Sequence, residues 1–387
     1  MGEKTLSGLR KSIRHQLQLI HFLRSYLPVS RKHWTEDAFV QIQKMEMLTK
    51  QEKDRIYIDY CKNYDKYRVK FSEYYFGYNF PHLSEKEKKT YLSMRDLQII
   101  LKKYDYLYPR QREITGNKSV FLQEFRDYFH RDWMLVNSDT NAETVQAFLN
   151  AHDTIVKPID SCGGKGVYKL LRGQGNAVSV LSGSLPVLLE ECVQNVPELA
   201  AFHPASLNTI RITTVTNGKE VKFLGACFRT GNNNSVFDNA DAGGIFAEID
   251  LDTGKLISDG VSEKGDRFPA HPATGIRFLE TQIPNWAEVK DLCVRAALHL
   301  PDSYIIAWDI GITTKGLEII EGNSIPSVEL HQIPLNKGIR KRLLSIFQQL
   351  GMQYRDVLCM LFVFNNLYRL YVSIRFRNKK QSFAERT

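Results

Sequence analysis

The sequence predicts an α+β protein, with a mostly helical N-terminal region ahead of a core of antiparallel strands and a few helices. Three observations predict it. Apolar residues recur at helical spacing near the N-terminus, at Leu6, Leu9, Ile13, Leu17 and Ile20, and again at Phe39, Ile42 and Met45. Beyond residue 150, short apolar runs alternate with turn signals, and Asn217-Gly218 and Lys315-Gly316 each mark a hairpin. One run ends in Lys157-Pro158 and passes into a glycine-rich loop that joins two strands instead of opening a helix, which excludes a Walker loop or a Rossmann turn.

The elements follow in order. Residues 5–25 and 35–64 read as helices, and Tyr57 to Phe80 is rich in aromatic residues. Residues 84–104 open with Ser84 and Glu87 in capping-box spacing. A helix is expected over 119–131 and strands over 153–158, 167–171 and 186–191. The first hairpin covers 208–216 and 222–229, followed by a strand over 245–251. Trp286–His299 reads as a helix, 304–310 and 317–321 as paired strands, and 338–350 as a closing helix. The boundaries fall near 110 and 351, giving an N-terminal region 1–110, a core 111–350 and a tail 351–387.

Composition bounds the function. At 387 residues, 43% hydrophobic and 25% charged, the chain has the balance of an ordinary soluble protein. Its net charge of +9 is divided as +9 over 1–110, −5 over 111–350 and +5 over 351–387. Basic flanks attract nucleic acid, anionic membranes or acidic polymers. Nothing resembles a helix that reads a nucleic-acid groove, so nucleic acid is not expected as a partner. The six cysteines form no Cys-x-x-Cys pair, which argues against zinc and a disulfide framework. The expectation is a cytoplasmic protein with no leader and no membrane span. The tail mixes Val357–Phe364 with Arg369, Arg375 and Arg377, so it reads either as an interfacial helix at the inner face of the membrane or as a helix docked on protein. Oligomeric state is not legible.

Several residues carry chemistry. Lys157 is held extended by Pro158 and can aim its amine at an anion. Gly163, Gly164, Lys165 and Gly166 follow closely, and glycines let backbone N–H groups approach phosphate oxygens. Glu190, Glu191 and Val193 end an apolar strand and can present an adenine edge with backbone groups and a carboxylate, while Glu198 is a ribose candidate. Asp309, Glu321 and Asn323 sit at the ends of two neighbouring strands and are hard oxygen ligands suited to Mg²⁺. Arg211 and Arg229 face each other across the first hairpin, either to hold a transferred phosphate or as ordinary cross-strand partners of acids. Asn239, Gly243 and Gly244 form a candidate substrate turn. His203 and His331 are lone histidines that fit either a base or a structural role.

Lys118, Lys157, the glycine loop, the Glu190–Val193 strand exit, Arg211, Arg229, Asp309 and the Glu321-x-Asn323 pair resemble the ATP-grasp superfamily, in that order, over about residues 110–335. The runs 203–211 and 237–245 resemble its sugar-transfer-associated branch. One departure is that relatives often carry an acid two residues before the first arginine, where this chain has Thr209. The resemblance implies two α+β subdomains gripping ATP, with Lys118 and Lys157 on the phosphates under the glycine flap. It implies Glu190, Glu191 and Val193 at adenine, Glu198 at ribose, and two Mg²⁺ held by Asp309, Glu321 and Asn323. The activity implied is a carboxylate–amine ligase that passes through an acyl phosphate, acting on small-molecule or glycan carboxylates and amines. The alternative is a kinase phosphorylating a sugar or polyol hydroxyl.

Overall fold

The computed structural model describes residues 33–67, 69–93, 97, 109–159, 166–233, 238 and 243–352. Two compact units form, meeting at Lys89 and Thr90. The expected helix over 5–25 and the tail beyond Met352 lie outside the described residues.

In the first unit, residues 33–43 form helix α1 and Lys50–Tyr67 helix α2. The aromatic segment forms its core. Tyr60 is fully buried, with its ring 5.4 Å from both Phe71 and Tyr74. Buried phenols need acceptors. Tyr60 donates to the Val69 carbonyl at 3.0 Å and Tyr74 to Asp59 at 2.6 Å. The Ser84/Glu87 capping box is present, but the helix it opens covers only Glu85–Lys88. Most of the rest of the expected 84–104 helix lies outside the described residues.

The second unit holds two antiparallel sheets. Trp133–Val136 (β1), Thr154–Pro158 (β2), Tyr168–Leu170 (β3) and Val187–Glu191 (β4) pair in the order β1-β4-β2-β3. The larger sheet is built from Thr209–Thr216 (β5), Val221–Thr230 (β6), Ile245–Glu248 (β7), Gly260–Val261 (β8), Arg267–Phe268 (β9), Ile305–Thr313 (β10) and Gly316–Asn323 (β11). Its order is β11-β10-β5-β6-β7-β8-β9.

Period-two alternation gives this sheet two different faces. Ile210 and Ile212 on β5, and Ile306, Trp308 and Ile310 on β10, enter the main apolar core. That core also takes Val289, Leu292, Cys293, Ala296 and Ala297, presented at helical spacing by α6 (Trp286–His299), and Phe121 and Phe125 from α4 (Lys118–Glu124). Thr209, Arg211, Thr213, Asp309 and Gly311 occupy the other face.

The expected helix 119–131 is shorter. After α3 (Pro109–Gly116), α4 is capped by Asn117, which accepts from Ser119 and Val120, and it stops at Glu124. Phe125 leaves helical geometry, and its ring stacks on Phe121 at 4.6 Å and meets Trp308 at 5.4 Å. Tertiary packing wins over helix extension here. Gly322 makes the same junction close, since a Cβ there would lie 2.9 Å from Phe121 and 3.0 Å from Trp308. The helix α5 (Ala142–Ala151), capped by Asn141, and β1 have no counterpart in the sequence reading. Arg340–Gln349 (α7) closes the fold and packs Leu343, Ile346 and Phe347 into a second apolar cluster.

Phe125→Ala empties the meeting point of α4, β10 and α6. Urea unfolding followed by tryptophan fluorescence should show a loss of about 3–5 kcal/mol.

Candidate active site

Strand register builds the polar face of the larger sheet. Glu321, Asp309, Arg211, Cys227 and Glu248 are successive cross-strand partners and form one row. Thr209 and Arg229 form the next. Asp309 stands at the centre and is 4% exposed. Arg211 grips it with two bonds, Nε to Oδ1 and Nη2 to Oδ2, both 2.6 Å. Arg229 Nη1 adds a third, to Oδ2 at 2.8 Å. Burial alone would raise the Asp309 pKa. The two guanidinium charges overcome this and hold the carboxyl well below the usual range.

Arg229 Nη2 also donates to Asp238 at 3.1 Å, while its Nε is a buried donor with no acceptor among the described residues. Asp238 accepts from the Thr209 amide at 3.1 Å and from the Thr209 hydroxyl. Asp238 thus joins Arg229 to Thr209, the residue two positions before Arg211. Burial pushes the Asp238 pKa up.

Glu321 stands beside this cluster at the sheet edge, with its side chain 46% exposed and its Oε1 3.8 Å from Arg211 Nη2. Asn323 Nδ2 donates to the same oxygen at 3.1 Å. Partial desolvation, and then the Asp309 charge, push the Glu321 pKa up. A cation at this edge would relieve that repulsion, and carboxylate and amide oxygens suit Mg²⁺. Asp309 is not a freely available ligand, because both its oxygens already accept from arginines. Oδ1, with a single donor, has a lone pair to offer. Arg211 and Arg229 accordingly anchor Asp309 in this structure.

Glu321 reaches the polar face through an irregularity. Asp309 pairs with Glu321, but Ile310 pairs with Ile319, so Ile320 is an extra residue in β11. Such a bulge re-aims side chains. Glu318, opposite Gly311, therefore shares a face with Glu321 although they are three positions apart.

On the smaller sheet, Lys157 Nζ lies 2.8 Å from Glu190 Oε1, and Arg131 Nε donates to Glu190 Oε2 at 2.8 Å. Burial would raise the Glu190 pKa, but the Lys157 and Arg131 charges push it down to about 2. In this structure Glu190 is engaged by Lys157 and Arg131. Its carboxylate is buried against two cations, and its backbone lies inside the ladder, between Trp133 and Ile155.

Glu191 takes the Lys315 ammonium and accepts from the Asp132 amide at 3.1 Å. The buried Val193 follows, after the Cys192 amide has bonded to the Asp153 carbonyl at 2.7 Å. Glu198 is exposed in the first turn of Pro197–Ala200. The structure does not bring it to either cluster.

Lys118 Nζ donates to the Pro158 and Ile159 carbonyls, 3.2 Å each, at the root of the glycine loop. In this structure that lysine holds the loop's entrance. Gly163, Gly164, Lys165 and Asn239 lie outside the described residues. Gly166, at φ +72°, ends the loop against Pro158, where a Cβ would meet Cγ at 3.1 Å. Gly243 is exposed at φ +88° and Gly244 is buried. His203 bonds Ser206 at 3.0 Å and the Asn233 carbonyl at 2.9 Å. His331 bonds Thr213 at 2.9 Å, and its Nδ1 lies 3.5 Å from Glu248. Both histidines are buried in local networks.

The sequence reading missed Arg131, Asp238 and Glu318. Arg131, in the Phe-His-Arg-Asp-Trp connection before β1, is a single basic residue in an unpatterned segment. It is nonetheless 1% exposed and joins the two sheets. Its Nη1 donates to Glu318 at 3.1 Å and to the Ile319 carbonyl at 2.9 Å, and its Nη2 to the Ile320 carbonyl at 3.3 Å.

Residues 175–348 match the family model of sugar-transfer associated ATP-grasp proteins. Among solved structures, the chain is similar to the ATP-grasp ligase PsnB complexed with its minimal precursor, at 17% identity and TM-score 0.38. That match covers 62% of each chain. It is also similar to a D-alanine–D-alanine ligase from Bacillus anthracis, at 13% identity and TM-score 0.35, over 67% of this chain and 69% of that one. A third is N5-carboxyaminoimidazole ribonucleotide synthetase from Thermotoga maritima, at 11% identity and TM-score 0.35, over 61% of this chain and 56% of that one. The chain thus spans under two thirds of the PsnB and synthetase chains. No curated protein sequence matches it.

Because the Glu190 pKa falls from 4.5 to about 2 on folding, its contribution to stability is present above pH 4.5 and is lost as pH falls towards 2. Glu190→Gln should flatten the fall in thermal midpoint across that window, as measured by calorimetry from pH 6 downwards in steps of about 0.5.

Proposed function

We propose that this chain, ATP-grasp in fold and resembling the sugar-transfer associated branch, is an ATP- and Mg²⁺-dependent carboxylate–amine ligase. The observation that carries the reading is a continuous buried connection. Lys157 bonds Glu190, Glu190 bonds Arg131, and Arg131 bonds the backbone one residue before Glu321. A cation aimed at phosphate and a set of oxygens suited to a divalent metal are thereby fixed to one another across two sheets.

Each group then has a task. Lys157 holds phosphate oxygens, exchanging its bond to Glu190 for one to the nucleotide. The resemblance assigns the glycine loop to these oxygens, and the reactive product must be kept from water. Glu321 and Asn323, with Asp309 Oδ1, would hold the metal, two ions in the full complex. Bound Mg²⁺ supplies charge neutralisation for the transferring phosphoryl group. Arg229 offers its unpaired Nε as a donor for an incoming oxyanion, and Asp309 keeps Arg211 and Arg229 aligned beside it.

A substrate carboxylate oxygen attacks the γ-phosphorus and the bond to the β-phosphate oxygen breaks, leaving ADP and an acyl phosphate. An amine nitrogen then attacks the acyl carbon, phosphate leaves, and the nitrogen gives up a proton. No protein nucleophile is required. Cys227, the thiol in the polar row, is buried and its pKa is pushed up by burial, which makes it a poor one. The branch resemblance favours a sugar acid or amino sugar as one partner and an amino acid as the other.

The test is release of ADP from ATP against pooled amino acids and sugar acids, with mass spectrometry of the products. An amide plus free phosphate is expected, whereas a phosphorylated hydroxyl would replace the ligase with a kinase. Lys157→Met should lower the turnover number by about 10²–10³-fold. Glu321→Gln should raise the Mg²⁺ concentration needed for half-maximal rate. Full activity in both variants would refute the site.

A further inference from the structure

We propose that Arg131 is a positioning residue that sets the metal end of the site. It fixes the β11 bulge that aims Glu321 and ties that bulge to the phosphate-binding lysine. The inference rests on the functional reading above and goes further, because it assigns the coupling between the two halves of the site to one side chain.

A bulge takes an extra residue out of register, so its carbonyls lose ladder partners. A buried carbonyl left without a donor is costly. Here the extra residue is Ile320, and the Ile319 and Ile320 carbonyls both accept from the Arg131 guanidinium. Without the bulge, residue 321 would face the apolar core, because side-chain direction in a strand alternates residue by residue. The arginine thus stabilises the one local geometry that puts Glu321 opposite Asp309.

The guanidinium is itself tightly held. Glu318 accepts from Nη1 at 3.1 Å, and its oxygens also take the His130 amide at 2.8 Å and the Arg131 amide at 3.4 Å. The Phe129 ring lies 4.4 Å from the guanidinium carbon. On the far side, Nε grips Glu190, whose other oxygen holds Lys157. A planar fork of five donors can satisfy two carboxylates and two carbonyls together, which the point charge of a lysine cannot. When nucleotide draws Lys157 from Glu190, the Glu190 charge is left to Arg131 alone. The change at the phosphates is therefore felt at the bulge beside Glu321.

The experiment titrates Mn²⁺, followed by electron paramagnetic resonance, into full-length protein saturated with a non-hydrolysable ATP analogue. Two variants accompany the wild type. Arg131→Lys keeps a charge near Glu190 but cannot cap both carbonyls. Glu318→Gln loosens the guanidinium and leaves the nucleotide-facing residues intact. Arg131→Lys should weaken Mn²⁺ binding about tenfold, as loss of outer-shell support does. Glu318→Gln should weaken it in the same direction. A purely structural arginine would lower the thermal midpoint without changing the gain in analogue affinity that the metal confers, and that result would overturn the proposal. If Arg131→Lys does not fold, Glu318→Gln decides alone, and unchanged Mn²⁺ affinity in it overturns the proposal. Failure of the wild type to bind Mn²⁺ with the analogue would overturn the functional reading itself. Wild-type binding with unaltered variants would overturn only the role of Arg131.

Discussion

A carboxylate buried between two guanidinium groups organises this molecule. Asp309 sits on β10, one strand in from the edge of the larger sheet, with Arg211 bonded to both its oxygens and Arg229 to one. Removing one partner from such a cluster strands the others in low dielectric, at a cost of about 3–5 kcal/mol. The sheet is therefore committed to one arrangement of its polar face. Glu321, Asn323 and Asp238 take their places relative to that arrangement, and so does the orphan Nε of Arg229.

The second constraint is the joint between the sheets. Three devices set it: Arg131 bonding Glu190 on one side and β11 on the other, Phe121 and Trp308 closing on Gly322, and Lys118 holding the carbonyls at the start of the glycine loop. Each bears on the end of β2 or on the last residues of β11. Under the proposed ligase reading, such a framework would let a chain with no covalent nucleophile in its polar row carry out group transfer. It holds charge in place and leaves bond-making to the substrates.

Much of this was legible in the sequence, for identifiable reasons. The hairpin of β5 and β6, the helix Trp286–His299 and the pairing of β10 with β11 follow from alternation, helical spacing and turn dipeptides, which are local signals. Asp309 and Glu321 were recognisable as partners because their strands are joined by a short turn. Arg131 was not legible, since its four acceptors come from positions about 60 and 190 residues away along the chain and no local pattern marks it. Asp238 stayed hidden because its partners Thr209 and Arg229 lie on other elements and no local pattern marks it. The pairing of Glu190 with Lys157 and Arg131 was not legible either, because a strand that ends in acids looks the same whether its carboxylates face solvent or buried cations. The bulge at Ile320 is likewise a property of the pair of strands and not of β11 alone.

In the proposed function, the end of β2 and the end of β11 hold one metal–triphosphate complex between them. Hydrogen exchange read by mass spectrometry on the full-length protein tests this most directly, in the absence of ligand, with ATP in EDTA, and with Mg²⁺ and ATP together. The prediction is that Mg²⁺ and ATP together slow exchange in peptides covering 154–159 and 319–323 alike, with ATP in EDTA protecting mainly the first. Protection of only one of these segments with the full complex, or of neither, would contradict it.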